Sequence, residues 1–150
     1  MCGGNKDCGC MSGLTEKLLV VASARAYSGT PNNFQYLLPE NTRFKKIALV
    51  NVAMTLPIGV NGVCINVSGL PRDIQCGGTS PQSSVPPNDC TFYVPNNQTT
   101  AINFTVKEET RQEMVFQSDK TLSLVTVTVT DEMGVPITLP GNWSMMLRIN

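Results

Sequence analysis

The chain has 150 residues, 41% of them hydrophobic and 15% charged, a composition that allows one compact domain with a sizeable core. Eleven basic and eleven acidic side chains give a formal net charge of zero, so the sequence offers no basic field that would collect nucleic acid. Histidine is absent, which excludes the commonest general base, the Ser–His and Cys–His nucleophile pairs and imidazole metal ligands. We therefore predict a protein that is not an enzyme and that has no cofactor and no metal site.

The chain opens with MCGGNKDCGCMSG, a segment rich in cysteine and glycine with almost nothing that could enter a core. It predicts a flexible N-terminal arm over residues 1–13, followed by one domain over residues 14–150. The three arm thiols, Cys2, Cys8 and Cys10, are spaced closely enough to bind a soft metal ion as thiolates. A structural zinc site needs four ligands, so the arm alone falls short of one. An inert, disordered terminus is the alternative interpretation.

The next segment, EKLLVVASARA, contains the longest apolar run of the chain. A membrane-spanning helix needs about 20 apolar residues, and a signal-peptide core needs roughly 7 to 15. The run is shorter than both. We interpret it as a β-strand, and we predict neither a membrane span nor a secretory signal.

Hydrophobic alternation with a period of two dominates the remainder of the chain, as in GVCINVS, AINFTV and WSMMLRIN. KIALVNVAM and LSLVTVTVT each change phase once, which a β-bulge would accommodate. Only KEETRQEMVF has the spacing of a helix, for one or two turns. Prolines separate these segments at intervals typical of an antiparallel sandwich. The pattern predicts an all-β protein, an antiparallel β-sandwich of about eight strands.

The segment TVTVTDEMGVPITL predicts a hairpin in which Asp131 begins the turn and Gly134 adopts a positive φ. Before this turn, Thr126, Thr128 and Thr130 form a polar row without charges. Charged residues usually protect an exposed strand from edge pairing. The row is therefore either a solvated face or a flat contact surface against another subunit.

The three cysteines of the domain suggest a disulfide. Cys76 and Cys90 bracket GGTSPQSSVPPND, a loop without hydrophobic anchors, and a bridge that closes about 15 residues is worth about 3 kcal/mol in the loop-entropy model. Cys64 could compete for either partner, so the connectivity stays open. Six reduced cysteines are the alternative, because no export signal places the chain in an oxidising compartment.

Two pairs of adjacent carboxylates are the remaining candidates for catalysis, Glu108 with Glu109 and Asp131 with Glu132. Neighbouring residues of a strand point to opposite faces, and both pairs flank polar, turn-like stretches. We interpret them as solvated loop carboxylates rather than as an acid–base pair.

The C-terminal segment LSLVTVTVTDEMGVPITLPGNWSMMLRIN joins a long Thr/Val strand, an Asp-x-x-Gly turn, a short PITL strand and a Trp-Ser that opens a final strand. This segment resembles the C-terminal part of small single jelly-roll capsid proteins of large icosahedral double-stranded DNA viruses, the penton proteins that fill the fivefold vertices. The motifs cover residues 122–150, and the strand count extends the pattern over residues 14–150 as expected of two-sheet jelly rolls.

The resemblance implies a non-enzymatic virion structural protein with a single jelly-roll fold. It implies a homopentamer that closes the fivefold vertices, contacts the major capsid protein and is assembled in the host cytoplasm. Cys2, Cys8 and Cys10 would then link neighbouring arms or bind minor capsid proteins. Viruses of this kind commonly encode a thiol oxidase, which would permit disulfides in the cytosol.

A small β-sandwich binding module, lectin-like or carbohydrate-binding, is the alternative function. Such a module would use loop residues and an aromatic platform. Trp143 alternates with core residues, and Phe34, Tyr36 and Tyr93 are scattered in the sequence, which is weak evidence against a platform.

Overall fold

The computed structural model describes residues 16–39, 42–76, 88–96, 101–106 and 112–150. The predicted arm lies outside the described residues, with its cysteines Cys2, Cys8 and Cys10, so the boundary between residues 13 and 14 stays a prediction. One 3-10 turn, Ser23–Arg25, occurs in the described chain. The strands are β1 (Lys17–Ala22), β2 (Ser28–Thr30), β3 (Asn33–Leu37), β4 (Arg43–Thr55), β5 (Gly62–Val67), β6 (Ile74–Cys76), β7 (Asn88–Cys90), β8 (Phe92–Pro95), β9 (Ala101–Thr105), β10 (Glu113–Thr121), β11 (Leu124–Thr130) and β12 (Ser144–Ile149).

In the described residues the strands form two five-stranded antiparallel sheets and a separate two-stranded ribbon. Sheet I has the order β9-β4-β12-β1, with β10 also paired to β4, and sheet II has the order β2-β3-β11-β5-β8. Strands β6 and β7 pair only with each other in the described chain. The chain crosses repeatedly between the sheets: it passes from β1 in sheet I to β3 in sheet II, to β4 in sheet I, to β5 and β8 in sheet II, to β9 and β10 in sheet I, to β11 in sheet II and to β12 in sheet I. This strand order is that of a jelly roll. It confirms the predicted single jelly-roll antiparallel sandwich, with extra short strands beyond the expected eight.

The core lies between the two sheets, and the period-two rows predicted from the sequence supply it. Ile102 of β9 is buried. The alternate residues of WSMMLRIN that are predicted to face inward are also buried, and two side chains of β5 are fully enclosed. These residues are Trp143, Met145, Leu147, Ile149, Val63 and Ile65.

One of the two predicted phase changes is a β-bulge and the other is not. Met146 of β12 pairs with Asn51 of β4, and Leu147 of β12 pairs with Leu49 of β4. Val50 is therefore an extra residue in β4, and the predicted bulge is confirmed. The prediction of a bulge in LSLVTVTVT is wrong. There the chain leaves β10 in sheet I and enters β11 in sheet II through residues 122–123. The set of alternate residues that face the core changes because the chain passes from one sheet to the other.

The predicted helical turns around KEETRQEMVF are wrong over the described part of that segment. Residues 107–111 lie outside the described chain, and Glu113–Thr121 form β10. Met114 is buried and pairs with Ile47 of β4. The free edge of β4 offers backbone hydrogen bonds and a place for Met114 in the core, and this outweighs weak local helix propensity.

The turn after β11 forms as predicted. The backbone N–H groups of Met133 and Val135 donate to Asp131 Oδ1 over 2.8 and 2.9 Å, and Gly134 has a φ of 85°. The returning segment forms an isolated bridge, between Pro136 and Thr130, rather than a named strand in the described chain. Asp131 therefore acts as a turn residue, in agreement with its interpretation as a loop carboxylate.

Three aromatic side chains form one buried cluster. The ring of Phe34 lies 6.0 Å from that of Trp143 and 6.3 Å from that of Tyr36, both in edge-to-face geometry. Trp143 Nε1 donates to the carbonyl of Pro31 over 2.7 Å. The prediction that Phe34 and Tyr36 are scattered is therefore wrong, because both belong to this cluster. Their burial removes both from any surface platform.

Candidate functional site

The threonine row lies in the middle of sheet II. Thr126, Thr128 and Thr130 are half-buried on the outer face of β11, which is hydrogen-bonded to β3 on one side and β5 on the other. Because β11 is a central strand, the row needs no charges to prevent edge pairing. The row forms the floor of a polar surface, with Thr128 beside Asn33 and Asn66 in register.

A groove of about 370 Å³ runs over this floor. Arg72 carries the only charge among the described residues that line it. The groove therefore offers hydroxyl and amide groups from Thr30, Asn33, Asn66, Asn88, Thr128 and Thr130.

The β6–β7 ribbon crosses the outer face of sheet II next to this groove. In its register Cys76 pairs with Asn88, and Ile74 pairs with Cys90. Because alternate residues of a strand share a face, Cys76, Asn88 and Cys90 lie on one side of the ribbon. That side packs on β5, where Cys64 lies between the core residues of its strand and points outward.

The three cysteines Cys64, Cys76 and Cys90, here called the thiol cluster, are all buried. The Sγ atoms of Cys64 and Cys76 are 3.3 Å apart, and those of Cys76 and Cys90 are 3.8 Å apart. All three sulfurs lie within 4.8 Å of one another. A disulfide has an S–S distance of about 2.05 Å, and the three cysteines are free thiols here. The Cys76–Cys90 bridge stays a prediction, and Cys64 is the closer neighbour of Cys76.

The thiols of the cluster shift one another's pKa. The pKa of Cys64 falls from 9.0 to about 7, because the Cys90 thiol first, and then the Cys76 thiol and the nearby Asn88 amide, stabilise its thiolate against the cost of burial. Burial, followed by the hydrogen bond to Cys64, raises the pKa of Cys76 to about 11. The hydrogen bond to Cys64 and then burial raise the pKa of Cys90. Of the three thiols, that of Cys64 is therefore the first to ionise as the pH rises.

The amide of Asn88 lies against the thiol cluster. Its Nδ2 is buried and has no hydrogen-bond partner. A neutral thiol is a weak acceptor, whereas a thiolate accepts strongly from an N–H group. On the other side of Asn88, a Cβ added at Gly134 would lie 3.0 Å from its Oδ1. The glycine thus lets the turn after β11 approach the amide closely.

Sequence reasoning named all three cysteines but did not find Asn88. A signal was present, because Asn88 precedes Cys90 by two residues and the two must share a face of any strand. The approach of Cys64 to the ribbon had no local signal, since it depends on how the ribbon packs against sheet II.

The described acidic candidates serve structural contacts. Asp131 holds the turn, and Glu132 Oε2 accepts a hydrogen bond from the Tyr93 hydroxyl over 2.8 Å. Burial, then the hydrogen bond to Glu132, raises the pKa of Tyr93. Glu108 and Glu109 lie outside the described residues.

Two apolar patches lie on opposite outer faces of the sandwich. Leu18 and Val20 of β1 are 61% and 49% exposed, and Val20 pairs with half-buried Met146; these three form the sheet I patch. On sheet II, Leu37 and Leu124 pair directly and are 58% and 47% exposed; they form the sheet II patch. In the described chain, β1 and β3 thus each present apolar side chains to solvent.

No helix in the described ranges has the length and apolar composition needed to cross a membrane.

No family model and no curated protein matches the sequence. Among solved structures, the chain is similar to a chain in a cryo-EM structure of a virus-like particle of the extra small virus of the giant freshwater prawn Macrobrachium rosenbergii. The two chains are 11% identical, the match covers 89% of this chain and 77% of the other, and the TM-score is 0.27. Because that score is low, the fold assignment rests on the strand order alone.

Proposed function

We propose that the protein is a non-enzymatic structural subunit of a virus capsid, and more specifically a penton subunit that forms a homopentamer. In this proposal the pentamer closes a fivefold vertex of the virion and contacts the major capsid protein. Arm residues Cys2, Cys8 and Cys10 link subunits or bind minor capsid proteins. Assembly takes place in the host cytoplasm, without nucleic acid as a partner and without a membrane span.

The observation that carries this proposal is the pair of apolar patches on opposite faces of the jelly roll. A cyclic ring of identical subunits needs a heterologous interface, in which one surface of a subunit meets a different surface of the next. The sheet I patch and the sheet II patch are two such surfaces on one molecule. Exposed apolar patches mark contact sites more often than scattered single residues do.

Charge and fold are compatible with the same role. A net charge of zero leaves little repulsion between copies of the chain. Jelly rolls build viral capsids, although lectins use the same architecture, so the fold by itself does not select the function.

The test disables each patch separately. One variant, L18K/V20K, places charges in the sheet I patch, and a second, L37K/L124K, places them in the sheet II patch. The control is I58K, at a loop residue that is 84% exposed and belongs to neither patch. We expect each double variant to be monomeric in light scattering, while I58K assembles like the unaltered chain.

Mixing the two double variants sharpens the result. L18K/V20K retains the sheet II patch, and L37K/L124K retains the sheet I patch. A heterologous interface therefore allows one molecule of each variant to pair, and the pair has no intact patch left with which to continue the ring. We expect a dimer in the mixture. Rings formed by either double variant alone would contradict the proposed interface.

A carbohydrate-binding module is the second candidate, favoured by the groove on sheet II. Its hydroxyl and amide groups suit the hydroxyls of a sugar, although no aromatic residue occurs among its described lining. A glycan array decides this: a saturable hit that is lost in the N33A and T128A variants would support the module over the capsid subunit.

A further inference from the structure

The β6–β7 ribbon has little of its own to hold it in place. Each of its strands has three residues, and an isolated two-stranded ribbon is marginally stable in water. Its described apolar contacts with the body of the domain are those of Ile74, Cys76 and Cys90 with Cys64 and Tyr93. An additional link between the ribbon and sheet II would therefore have a large effect on this part of the molecule.

The positions of the three sulfurs suit a metal ion. Thiolates bound to zinc at about 2.3 Å in tetrahedral geometry lie about 3.8 Å from one another. The Cys76–Cys90 sulfur separation is 3.8 Å, and the Cys64–Cys76 separation is 3.3 Å. All three separations lie below 4.8 Å, so small side-chain rotations are enough to surround one ion.

We propose that Cys64, Cys76 and Cys90 bind one thiophilic metal ion of the zinc class, and that this ion fastens the β6–β7 ribbon to sheet II. Soft thiolate ligands select ions of this kind over magnesium or calcium. Two of the ligands come from the ribbon and one from β5, so the bound ion joins two parts of the fold that share no backbone pairing in the described chain.

The unpartnered amide of Asn88 is a second, independent observation at this site. Three thiolates around a divalent ion leave one net negative charge in a buried place, which needs a hydrogen-bond donor. Asn88 Nδ2 is a buried donor without a partner and sits opposite Cys76 in the ribbon. It would donate to a metal-bound sulfur, as outer hydrogen bonds to metal ligands commonly do.

The binding step releases protons and involves no oxidation. Each thiol that is still protonated loses its proton to solvent as its sulfur bonds to the metal, while the metal keeps its charge state. The fourth position on the ion remains for water or for another oxygen ligand. Binding therefore strengthens as the pH rises through the range in which the thiols ionise.

A disulfide is the competing use of the same residues. A Cys76–Cys90 bridge would consume two thiols and leave Cys64 without a role. A metal ion uses all three sulfurs and also supplies acceptors for Asn88. The experiment must therefore be done with the cysteines fully reduced, and again without reductant.

The test uses the full chain with the arm substitutions C2S, C8S and C10S, so that any thiolate site reported belongs to the domain. This protein is reduced with a phosphine, freed of metal with a chelator and titrated with Zn²⁺, with native mass spectrometry as the readout. Titration with Co²⁺ provides a second readout, because thiolate-to-cobalt charge-transfer absorption appears only when sulfur is bound. We expect one ion per chain and a charge-transfer band.

The variants C64S and C76S, in the same background, should lose saturable Zn²⁺ binding and the cobalt band. The matched control is D89A, at an exposed residue that does not share the ribbon face of Asn88, and it should bind like the parent. Circular dichroism reports whether each variant retains its strands.

A folded, reduced parent protein that binds no Zn²⁺ would overturn the proposal, as would zinc binding unchanged by C64S. A two-proton mass loss without reductant, combined with indifference of the reduced chain to zinc, would also overturn it in favour of a disulfide. If C64S or C76S fails to fold, the stoichiometry and cobalt spectrum of the parent decide the question alone. These readouts do not depend on assembly, so they are independent of the capsid proposal.

Discussion

The sandwich and the β6–β7 ribbon are held together by different physical means. In the sandwich, long strands bury continuous apolar rows, and side chains such as Val63, Ile65 and Val127 are completely enclosed. The ribbon has three residue pairs and contacts the body mainly through the thiols of Cys76 and Cys90, which lie against Cys64. The stability of the sandwich should therefore depend on packing, whereas that of the ribbon should depend on pH, redox state and metal.

The largest effect should come from a cavity in the sandwich. Ile65→Ala removes a fully buried side chain between the sheets and should lower the free energy of unfolding by about 2–5 kcal/mol. Urea denaturation measures this change, and added zinc should leave the difference between the two proteins unaltered. Ile58→Ala, at an exposed loop position, is the control and should change stability by less than about 0.5 kcal/mol. Equal effects at both positions would mean that the core is wrongly placed.

The pH dependence of the reduced, metal-free protein should report on the thiol cluster. The pKa of Cys64 is about 7 in the fold and 9.0 in the reference state, so between these values the unfolded chain binds more protons. The free energy of unfolding should therefore rise by on the order of 2 kcal/mol as the pH rises from about 7 to 9. This added stability is lost again as the pH falls through 7.

Above pH 9 the sign reverses. The raised pKa values of Cys76 and Cys90 keep these thiols protonated in the fold while the unfolded chain ionises, so stability should decline again. Chemical denaturation at a series of pH values gives the curve. C64S should remove the rise between pH 7 and 9, and a curve that is the same in C64S would disprove the assignment of the lowered pKa to Cys64.

Asn88 should contribute less than the thiols. Asn88→Ala removes the donor beside the metal-bound sulfurs and should weaken zinc binding by about tenfold, as losses of outer hydrogen bonds to metal ligands do. Asp89→Ala, the neighbouring position on the exposed face, is the matched control. Competition with a chromophoric chelator measures both affinities, and identical values would show that Asn88 does not act on the site.

The smallest effect should be at Gly134. Its φ of 85° and the 3.0 Å approach to Asn88 Oδ1 both disfavour a side chain, so Gly134→Ala should cost about 1 kcal/mol in thermal or urea unfolding. Gly141→Ala is the comparison, because an added Cβ there meets nothing within 4 Å. A larger loss at Gly141 would contradict the described turn.

The period-two rows made the sandwich predictable. Ile102 and Met145 face the core as their spacing predicted, and the bulge at Val50 follows from one slipped residue in a single strand. The rest depends on contacts distant in sequence. The passage through residues 122–123 between sheets and the pairing of β10 with β4 have no local signature.

The candidate site was predictable only in its parts. The bracketing of one loop by Cys76 and Cys90 predicts that the two are partners, and this prediction requires no knowledge of the fold. The approach of Cys64 from another strand, and the missing partner of Asn88, follow from the packing of the ribbon on β5. Sequence spacing does not contain that information, since a strand of the ribbon could pack on several parts of the sandwich.

The mass of the purified full-length protein in solution tests the capsid assignment most directly. Light scattering over a range of concentrations, with and without reductant, should give a particle of five times the chain mass of 16.2 kDa. Loss of the pentamer on reduction would assign the linking role to the arm cysteines, and its persistence would assign that role to the apolar patches. A mass of one chain at every concentration, in both conditions, would contradict the assignment as a pentameric capsid subunit.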